Sequence, residues 1–341
     1  MNLPMMKIEK IWQDLEGDCS LRSGLLYKRY SGNVLPDIYV ALKVPERFRC
    51  IAVHLDSSAN FDIRAWDKFR DIKIQRLPDE KNQDKHFLVV LLLNSQHKDV
   101  FAALSEDLIN KVSDITSESD LVKVLIERLA KWNLLFEKLG HQGLSDDACR
   151  GLYGELYFLR TLILSGISAD FCINAWKGSE KAVQDFQFSD LAVEIKTTHG
   201  KNQQKLHIAS ERQLDINIIP DIYLFHLSLE VRQNHGESLN HIAEDLMAML
   251  SACPSAQSVF RLKLFEAGYF DQHKVYYEDT GYAIRQKNIY KITEDFPKIT
   301  ENMIPSGVGD VRYSVVISAN ENWILEEEQL IHQLKRAIQD D

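Results

Sequence analysis

Long apolar runs are missing from this sequence: none of its 341 residues belongs to an uninterrupted apolar stretch of the about 18 residues that a membrane-spanning helix needs. Residues 1–14 mix charged positions such as Lys7, Glu9 and Asp14 with apolar ones, whereas a signal peptide has a continuous apolar centre. We therefore expect a cytoplasmic protein that has no membrane partner.

Cysteine is scarce and scattered. The chain has an odd number of cysteines, and none of them forms a Cys-x-x-Cys pair or shows the Cys/His spacing of a zinc site. The five residues are Cys19, Cys50, Cys149, Cys172 and Cys253. We therefore expect free thiols in a reduced protein, without structural disulfides or zinc.

Positive charge is in deficit, with 40 Lys and Arg against 50 Asp and Glu and a formal net charge of −10. General affinity for nucleic acid needs clustered Lys and Arg, so this composition argues against a surface coated with such affinity. It is compatible with a local basic strip, because net charge describes the average surface and not a cleft.

The length of the chain predicts more than one domain. Residues 1–140 contain short apolar runs that predict a β-rich domain closed by two helices. The predicted strands are 37–42, 50–55, 72–77 and 87–93, and the predicted helices are 97–112 and 119–139. Gly140 and Gly143 interrupt the second helix, and Ser145 is a suitable N-cap for the next one. We place a domain boundary there and predict a second domain at 141–341.

The second domain divides into a core at about 144–230 and a C-terminal extension with both helices and strands. The predicted order in the core is helix, three strands, helix and strand, at 146–164, 171–175, 183–188, 191–198, 210–217 and 222–229. The extension has predicted helices at 239–250, 256–267 and 325–338, and predicted strands at 274–277, 289–292 and 311–317. This alternation predicts an α/β fold of the mixed α+β kind.

Residues 185–196 alternate between apolar and polar side chains on both sides of the pair Ser189-Asp190. If this pair is the loop of a hairpin, Asp185 lies opposite Glu194. The register places Phe186, Phe188, Leu191, Val193 and Ile195 on one apolar face and Asp185, Gln187, Ala192, Glu194 and Lys196 on the other. The internal consistency of the two faces favours this register.

Two opposed carboxylates at Asp185 and Glu194 repel each other unless a cation lies between them. Oxygen ligands of this kind suit Mg²⁺ or Mn²⁺. Lys196 is on the same face and would orient or activate water, or offset charge on phosphorus. Glu155 lies beside the apolar stripe of the predicted helix 146–164, where a metal or a hydrogen-bond partner would explain a charge.

The element order and Glu155, Asp185, Glu194 and Lys196 resemble the αβββαβ, restriction-endonuclease-like core of PD-(D/E)XK nucleases. More narrowly, five segments resemble PD-(D/E)XK motif proteins of bacterial restriction and phage-defence gene clusters. They are Gly151–Leu156, Ala175–Gly178, Gln184–Phe186, Leu191–Thr198 and Ser210–Leu214.

The resemblance implies that Asp185 and Glu194 are metal ligands, that Lys196 is the catalytic lysine and that Glu155 completes the site or binds metal. Gln184 replaces the proline of the superfamily pattern, and Asn217 stands where tyrosine would complete a Gln-x-x-x-Tyr pattern.

Four further residues are candidates for contact with nucleic acid. Lys201 and Lys205 follow the third core strand and would lean over a phosphate backbone, or they lie in a solvated loop. Trp176 would stack on a base, or it anchors packing at a turn. Gln213 stands where some relatives place a polar helix residue.

The resulting hypothesis is an endonuclease that hydrolyses DNA phosphodiester bonds with Mg²⁺, or with Mn²⁺ in its place, in bacterial restriction or phage defence. The first domain would recognise the target or contact a partner, and other defence subunits or a second copy of the chain are candidate partners. One alternative is a catalytically silent scaffold that binds nucleic acid or protein, and another is a nuclease that acts on RNA. Stabilisation by a divalent cation that is lost in Asp185→Ala would argue against the scaffold.

Overall fold

The computed structural model describes residues 7–57, 71–138, 143–180, 182–200, 205–316 and 321–339. The chain divides into two compact units, Met1–His141 and Gln142–Asp341. Within the described ranges, no helix combines the length and the apolar composition that a membrane span requires.

The first unit contains a five-stranded antiparallel sheet with the strand order β1-β2-β3-β5-β4. Its elements are α1 (Lys7–Gly17), β1 (Gly24–Arg29), β2 (Ile38–Val44), β3 (Phe48–Asp56), β4 (Ile72–Pro78), β5 (Lys85–Leu92), α2 (Lys98–Val112) and α3 (Glu118–Lys138). The four predicted strands and the two predicted helices of this region are confirmed, and α1 and β1 are additional. The α1 helix is fixed to the sheet by Trp12, whose indole N–H contacts the carbonyl oxygens of Ala41 at 3.1 Å and Cys50 at 3.2 Å.

The second unit contains a six-stranded mixed sheet and a separate two-stranded ribbon. Its elements are α4 (Asp146–Leu164), α5 (Ala169–Ala175), β6 (Phe186–Gln187), β7 (Leu191–His199), β8 (Lys205–Ile208), β9 (Asp221–Gln233), β10 (Glu237–Ser238), α6 (Leu239–Met249), α7 (Pro254–Glu266), β11 (Thr280–Ile292), β12 (Tyr313–Val316), β13 (Ile324–Leu325) and α8 (Glu327–Gln339). The sheet order is β10-β11-β9-β7-β6, with β13 beside β11, and β8 pairs with β12 in the ribbon. The β7 and β9 strands run parallel, and the other pairs are antiparallel.

The sheet of the second unit has a hydrophobic core on each face. On β9, Tyr223 and Phe225 belong to the core that includes α4, whereas Ile222 and Leu224 belong to a core that includes the ribbon. Successive side chains of a strand point to opposite faces, so α4 and the ribbon cover opposite sides of the sheet. The α4 helix has the predicted boundaries, and the Ser145 side chain caps it by accepting the Ala148 N–H at 3.3 Å.

The hairpin register predicted from alternation is confirmed. Phe186 pairs with Val193 and Gln187 with Ala192, and the Phe188 N–H donates to the Leu191 carbonyl oxygen at 2.8 Å. The strand predicted at 183–188 is shorter than expected, because the Asp185 carbonyl oxygen accepts the N–H groups of Lys177 and Gly178 at 2.6 and 3.0 Å. Loop contacts therefore replace strand pairing immediately before β6.

Two predicted core elements are wrong. Residues 171–175 form part of α5 and not a strand, because the three-residue spacing of Cys172 and Ala175 in a helix packs both into the core beside α7. A short apolar run does not by itself distinguish strand from helix. Residues 210–217 form turns and not a helix. Here the Asp215 side chain accepts the Asn217 N–H at 3.0 Å, and such local bonds compete with helical ones.

One predicted element of the extension is also wrong. Residues 274–277 were expected as a strand, but Asp271–Tyr276 is a 3₁₀ helix. An ion pair of 2.8 Å joins Lys274 to Asp271 across the spacing of three residues that one such turn brings together. The helices at 239–250, 256–267 and 325–338 are confirmed as α6, α7 and α8 within two residues at each end.

Candidate active site

The β7 strand carries two of the predicted site residues, Glu194 and Lys196, on the face opposite α4. Glu194 is 1% exposed, and its Oε1 lies 2.7 Å from the Lys196 ammonium. Asp185 reaches the same strand, because its Oδ2 accepts the N–H of Ile195 at 2.8 Å. The hairpin therefore brings the three predicted residues together.

Glu155 of α4 joins this group through the loop after α5. The Trp176 indole N–H donates to Glu155 Oε2 at 2.6 Å. Next to that bond, a Cβ placed on Gly178 would collide with Glu155 Oε2 and would lie 3.0 Å from Asp185 Oδ1. Both carboxyl groups thus border the space beside the Gly178 Cα, so Glu155 and Asp185 are neighbours.

Gln213 is also part of the site, although it lies in turns and not on the predicted helix. Its amide NH₂ donates to Glu194 Oε1 at 2.8 Å. Its amide oxygen accepts the N–H of Ala209 at 2.8 Å and faces the Lys196 ammonium at 3.4 Å. Gln213 therefore holds the acidic and the basic residue of β7 in a fixed relation.

Gln184 supports the loop that carries Gln213. This side chain is buried, and its NH₂ group donates to the carbonyl oxygens of Arg212 at 3.3 Å and Gln213 at 3.2 Å. Proline at this position would have no such donor. Sequence reasoning noted Gln184 only as a departure from the superfamily pattern, because its partners are about thirty residues away in the chain.

The electrostatics of the site are dominated by buried negative charge. Burial, together with the nearby Asp185 and against the opposing effect of Lys196, raises the pKa of Glu194 to about 8. Burial also raises the pKa of Asp185, although the Ile195 N–H and Lys196 lower it in part. The pKa of Glu155 is raised by burial and by the neighbouring Asp185. Burial alone would lower the pKa of Lys196, but Glu194 and the other two carboxylates raise it. One ammonium therefore faces three carboxyl groups.

The donor set fits a hard divalent cation. Glu194 Oε2 is buried without a hydrogen-bond partner, which is costly for a carboxylate oxygen unless another group binds it. No group of three Asp, Glu, His or Cys side chains in the described part of the chain is arranged to hold a metal by itself. Mg²⁺ commonly uses only one or two carboxylates together with water and substrate phosphate. Asp185 and Glu194 together supply that number of carboxylates.

The candidates for nucleic-acid contact have different outcomes. Trp176 is completely buried and packs against Phe260, with 5.9 Å between ring centroids. The prediction that it stacks on a base is therefore wrong, because neither ring face is accessible, and the alternative of a packing anchor is confirmed. Gln213 contacts the site residues as described above. Lys205 is exposed on β8, and Lys201 lies outside the described residues.

The aspartate before β6 and the Glu-x-Lys of β7 match the residue pattern after which the PD-(D/E)XK class is named, and the helix glutamate adjoins them. The chain belongs to the family described as "Putative PD-(D/E)XK family member, (DUF4420)", whose model matches residues 8–318. No curated protein and no solved structure matches the chain.

Proposed function

We propose that this protein is a divalent-metal-dependent endonuclease that hydrolyses DNA phosphodiester bonds in bacterial restriction or phage defence. The observation that supports this most strongly is the buried, unpartnered Glu194 Oε2 beside Asp185 and the Lys196 ammonium. A scaffold without catalysis would have no use for a buried carboxyl group whose ionisation costs stability. Family membership supports the nuclease-like fold, and the substrate and the biological setting belong to the proposal.

Asp185 and Glu194 would hold Mg²⁺, or Mn²⁺ in its place, with Glu155 close enough to tune the ion or hold a second one. The ion would polarise a phosphoryl oxygen and lower the pKa of bound water. The Lys196 ammonium orients the attacking water and offsets the negative charge that develops on phosphorus. The oxygen of water adds to phosphorus and gives up a proton, the bond from phosphorus to the 3′ oxygen breaks, and that oxygen leaves as a 3′-hydroxyl after taking up a proton. The other product carries a 5′-phosphate.

Three residues serve this chemistry by positioning. Gln213 fixes the directions of Glu194 and Lys196 through its two amide ends. Trp176 fixes Glu155 through its indole N–H. Gly178 leaves room for the two adjoining carboxylates, which any side chain would displace. The first unit would then recognise the target or contact other defence subunits, and a homodimer would allow cleavage of both strands.

The test is cleavage of labelled double-stranded DNA, single-stranded DNA and RNA by the purified protein with Mg²⁺, Mn²⁺ or EDTA. Asp185→Asn removes one metal ligand, and Asp190→Asn makes the same chemical change in the exposed hairpin turn. We expect metal-dependent cleavage of DNA by the wild type and by Asp190→Asn, and none by Asp185→Asn.

If the wild type cleaves RNA but not DNA, RNA takes the place of DNA as the proposed substrate. If no substrate is cut and calorimetry detects no Mg²⁺ or Mn²⁺ binding, the chain is a silent scaffold and the proposal is wrong. Calorimetry on Asp185→Asn also shows whether the variant is inactive because it no longer binds the ion or because a step after ion binding fails.

A further inference from the structure

The two-stranded ribbon of β8 and β12 has one apolar and one polar face. Leu206, Ile208 and Val315 are buried in the core that covers the site side of the sheet. On the other face, Lys205 and His207 of β8 are exposed, and the register places them opposite Val316 and Ser314 of β12. Lys205, His207 and Ser314 are therefore exposed on this side of the ribbon.

The end of this ribbon is joined to the active site. Ala209 follows β8 directly, and its N–H donates to the same Gln213 oxygen that faces Lys196. Beside it, the buried carboxylate of Glu211 accepts the N–H of Val311 at 3.0 Å. This bond holds the turn before Gln213 against the segment that leads into β12.

Two exposed arginines flank that junction. Arg212 lies between Glu211 and Gln213, and Arg312 lies between Val311 and Tyr313. Both are exposed residues, and the hydrogen bond from the Val311 N–H to the Glu211 carboxylate joins the residues that precede them in the chain. Lys205 lies at the far end of β8, roughly 13 Å from Ala209 at about 3.3 Å per residue. Lys205 thus lies at one end of β8, and Arg212 and Arg312 lie in the segments at its other end, next to Gln213.

These three cations also differ from the ion-paired Lys and Arg residues of the second unit. Many Lys and Arg residues of the second unit are paired with carboxylates, as Arg160 is with Glu237 and Lys287 with Glu327. Over the ranges that the structure describes, Lys205, Arg212 and Arg312 have no carboxylate partner within ion-pair distance. An extended set of cations without anionic partners is complementary to a chain of phosphates.

We propose that Lys205, Arg212 and Arg312, here called the cationic ribbon face, bind the phosphate backbone of the DNA substrate and guide it to the active site. The proposal rests on the proposed nuclease function. A length of roughly 13 Å corresponds to about four nucleotides of one strand. Phosphate contacts fix register but carry no base information, so this surface binds DNA without regard to sequence.

The test measures binding of a labelled DNA duplex in EDTA, where cleavage does not interfere, over a series of KCl concentrations. The triple variant Lys205→Gln, Arg212→Gln, Arg312→Gln removes the cationic ribbon face. The triple variant Arg232→Gln, Lys335→Gln, Arg336→Gln removes equal charge from other exposed positions of the same unit. Each phosphate contact contributes about 0.9 to the slope of log affinity against log salt, so the ribbon variant should lose up to about 2.7 of slope.

We expect the control variant to keep the wild-type slope. In Mg²⁺, the ribbon variant should cleave with a raised KM and an unchanged kcat, since its residues touch no reacting group. Equal slopes for the two triple variants, or no duplex binding by the wild type, would overturn the proposal. Tighter binding of RNA of the same length would replace DNA as the partner. Metal-dependent cleavage by the wild type would leave the nuclease proposal standing in each of these cases.

Discussion

Glu194→Gln should stabilise the metal-free protein at neutral and alkaline pH while it removes metal binding. The folded-state pKa of Glu194 is raised from its ordinary 4.5 to about 8, so the folded state binds this proton more tightly than the unfolded state does. The contribution of Glu194 to stability is therefore complete below pH 4.5 and is lost as the pH rises to about 8. Glutamine does not titrate, so the variant avoids this loss.

The size of the effect follows from the same shift. At about 1.36 kcal/mol for each pKa unit, the wild type should give up about 3 kcal/mol at pH 7 relative to a neutral side chain. This is an upper limit, because Lys196 loses an anionic partner in the variant. For a unit of this size it corresponds to about 6–12 °C in Tm.

The assay is thermal unfolding in EDTA from pH 5 to pH 8 for the wild type, Glu194→Gln and the exposed control Glu278→Gln. We expect the Tm of Glu194→Gln relative to wild type to rise with pH, and that of the control to stay constant. Added Mg²⁺ at about 100 times its Kd should restore about 2.7 kcal/mol to the wild type and nothing to Glu194→Gln. A difference between Glu194→Gln and wild type that does not change with pH would refute the reasoning.

Three other substitutions test separate contacts of the site. Lys196→Ala should lower the single-turnover cleavage rate about 10²–10³-fold with metal binding retained in calorimetry, and loss of both would assign the lysine to binding the ion. Gln213→Ala should weaken Mg²⁺ affinity about 10–100-fold in titration calorimetry, and an unchanged affinity would contradict its positioning role. Gly178→Ala should lower the free energy of unfolding in urea by about 1–3 kcal/mol, because the new methyl group meets Glu155. The control Gly151→Ala places its methyl group in open space. Equal losses of stability in the two variants would contradict the close approach at Gly178.

The predictable part of the site is the part encoded by local periodicity. Alternation around Ser189-Asp190 gives the correct hairpin register, because a shift of one residue would move every apolar side chain of β7 to the wrong face. The start of α4 is predictable for a similar reason, since Ser145 is a local cap. The shared face of Glu194 and Lys196 follows from the register, because the two residues are two positions apart on one strand.

The parts that could not be predicted depend on contacts between distant segments. Nothing near Gln213 in the sequence shows that its amide reaches β7 or that Gln184 fixes its loop. Trp176 looked available to a base because its burial against Phe260 comes from α7, over eighty residues later. The run 171–175 has no local signal strong enough to choose between helix and strand, and tertiary packing decides it.

The amide of Gln213 has an NH₂ group that donates and an oxygen that accepts, so it satisfies its partners in one orientation only. Turned by 180°, its NH₂ would face the Lys196 ammonium and the Ala209 N–H, and its oxygen would face the Glu194 carboxylate. Every one of these encounters joins two donors or two acceptors. Glutamate at 213 would repel Glu194, and lysine would repel Lys196. A neutral group that donates at one end and accepts at the other is thus required, so the acid-base order of β7 restricts the residues that evolution can place at 213.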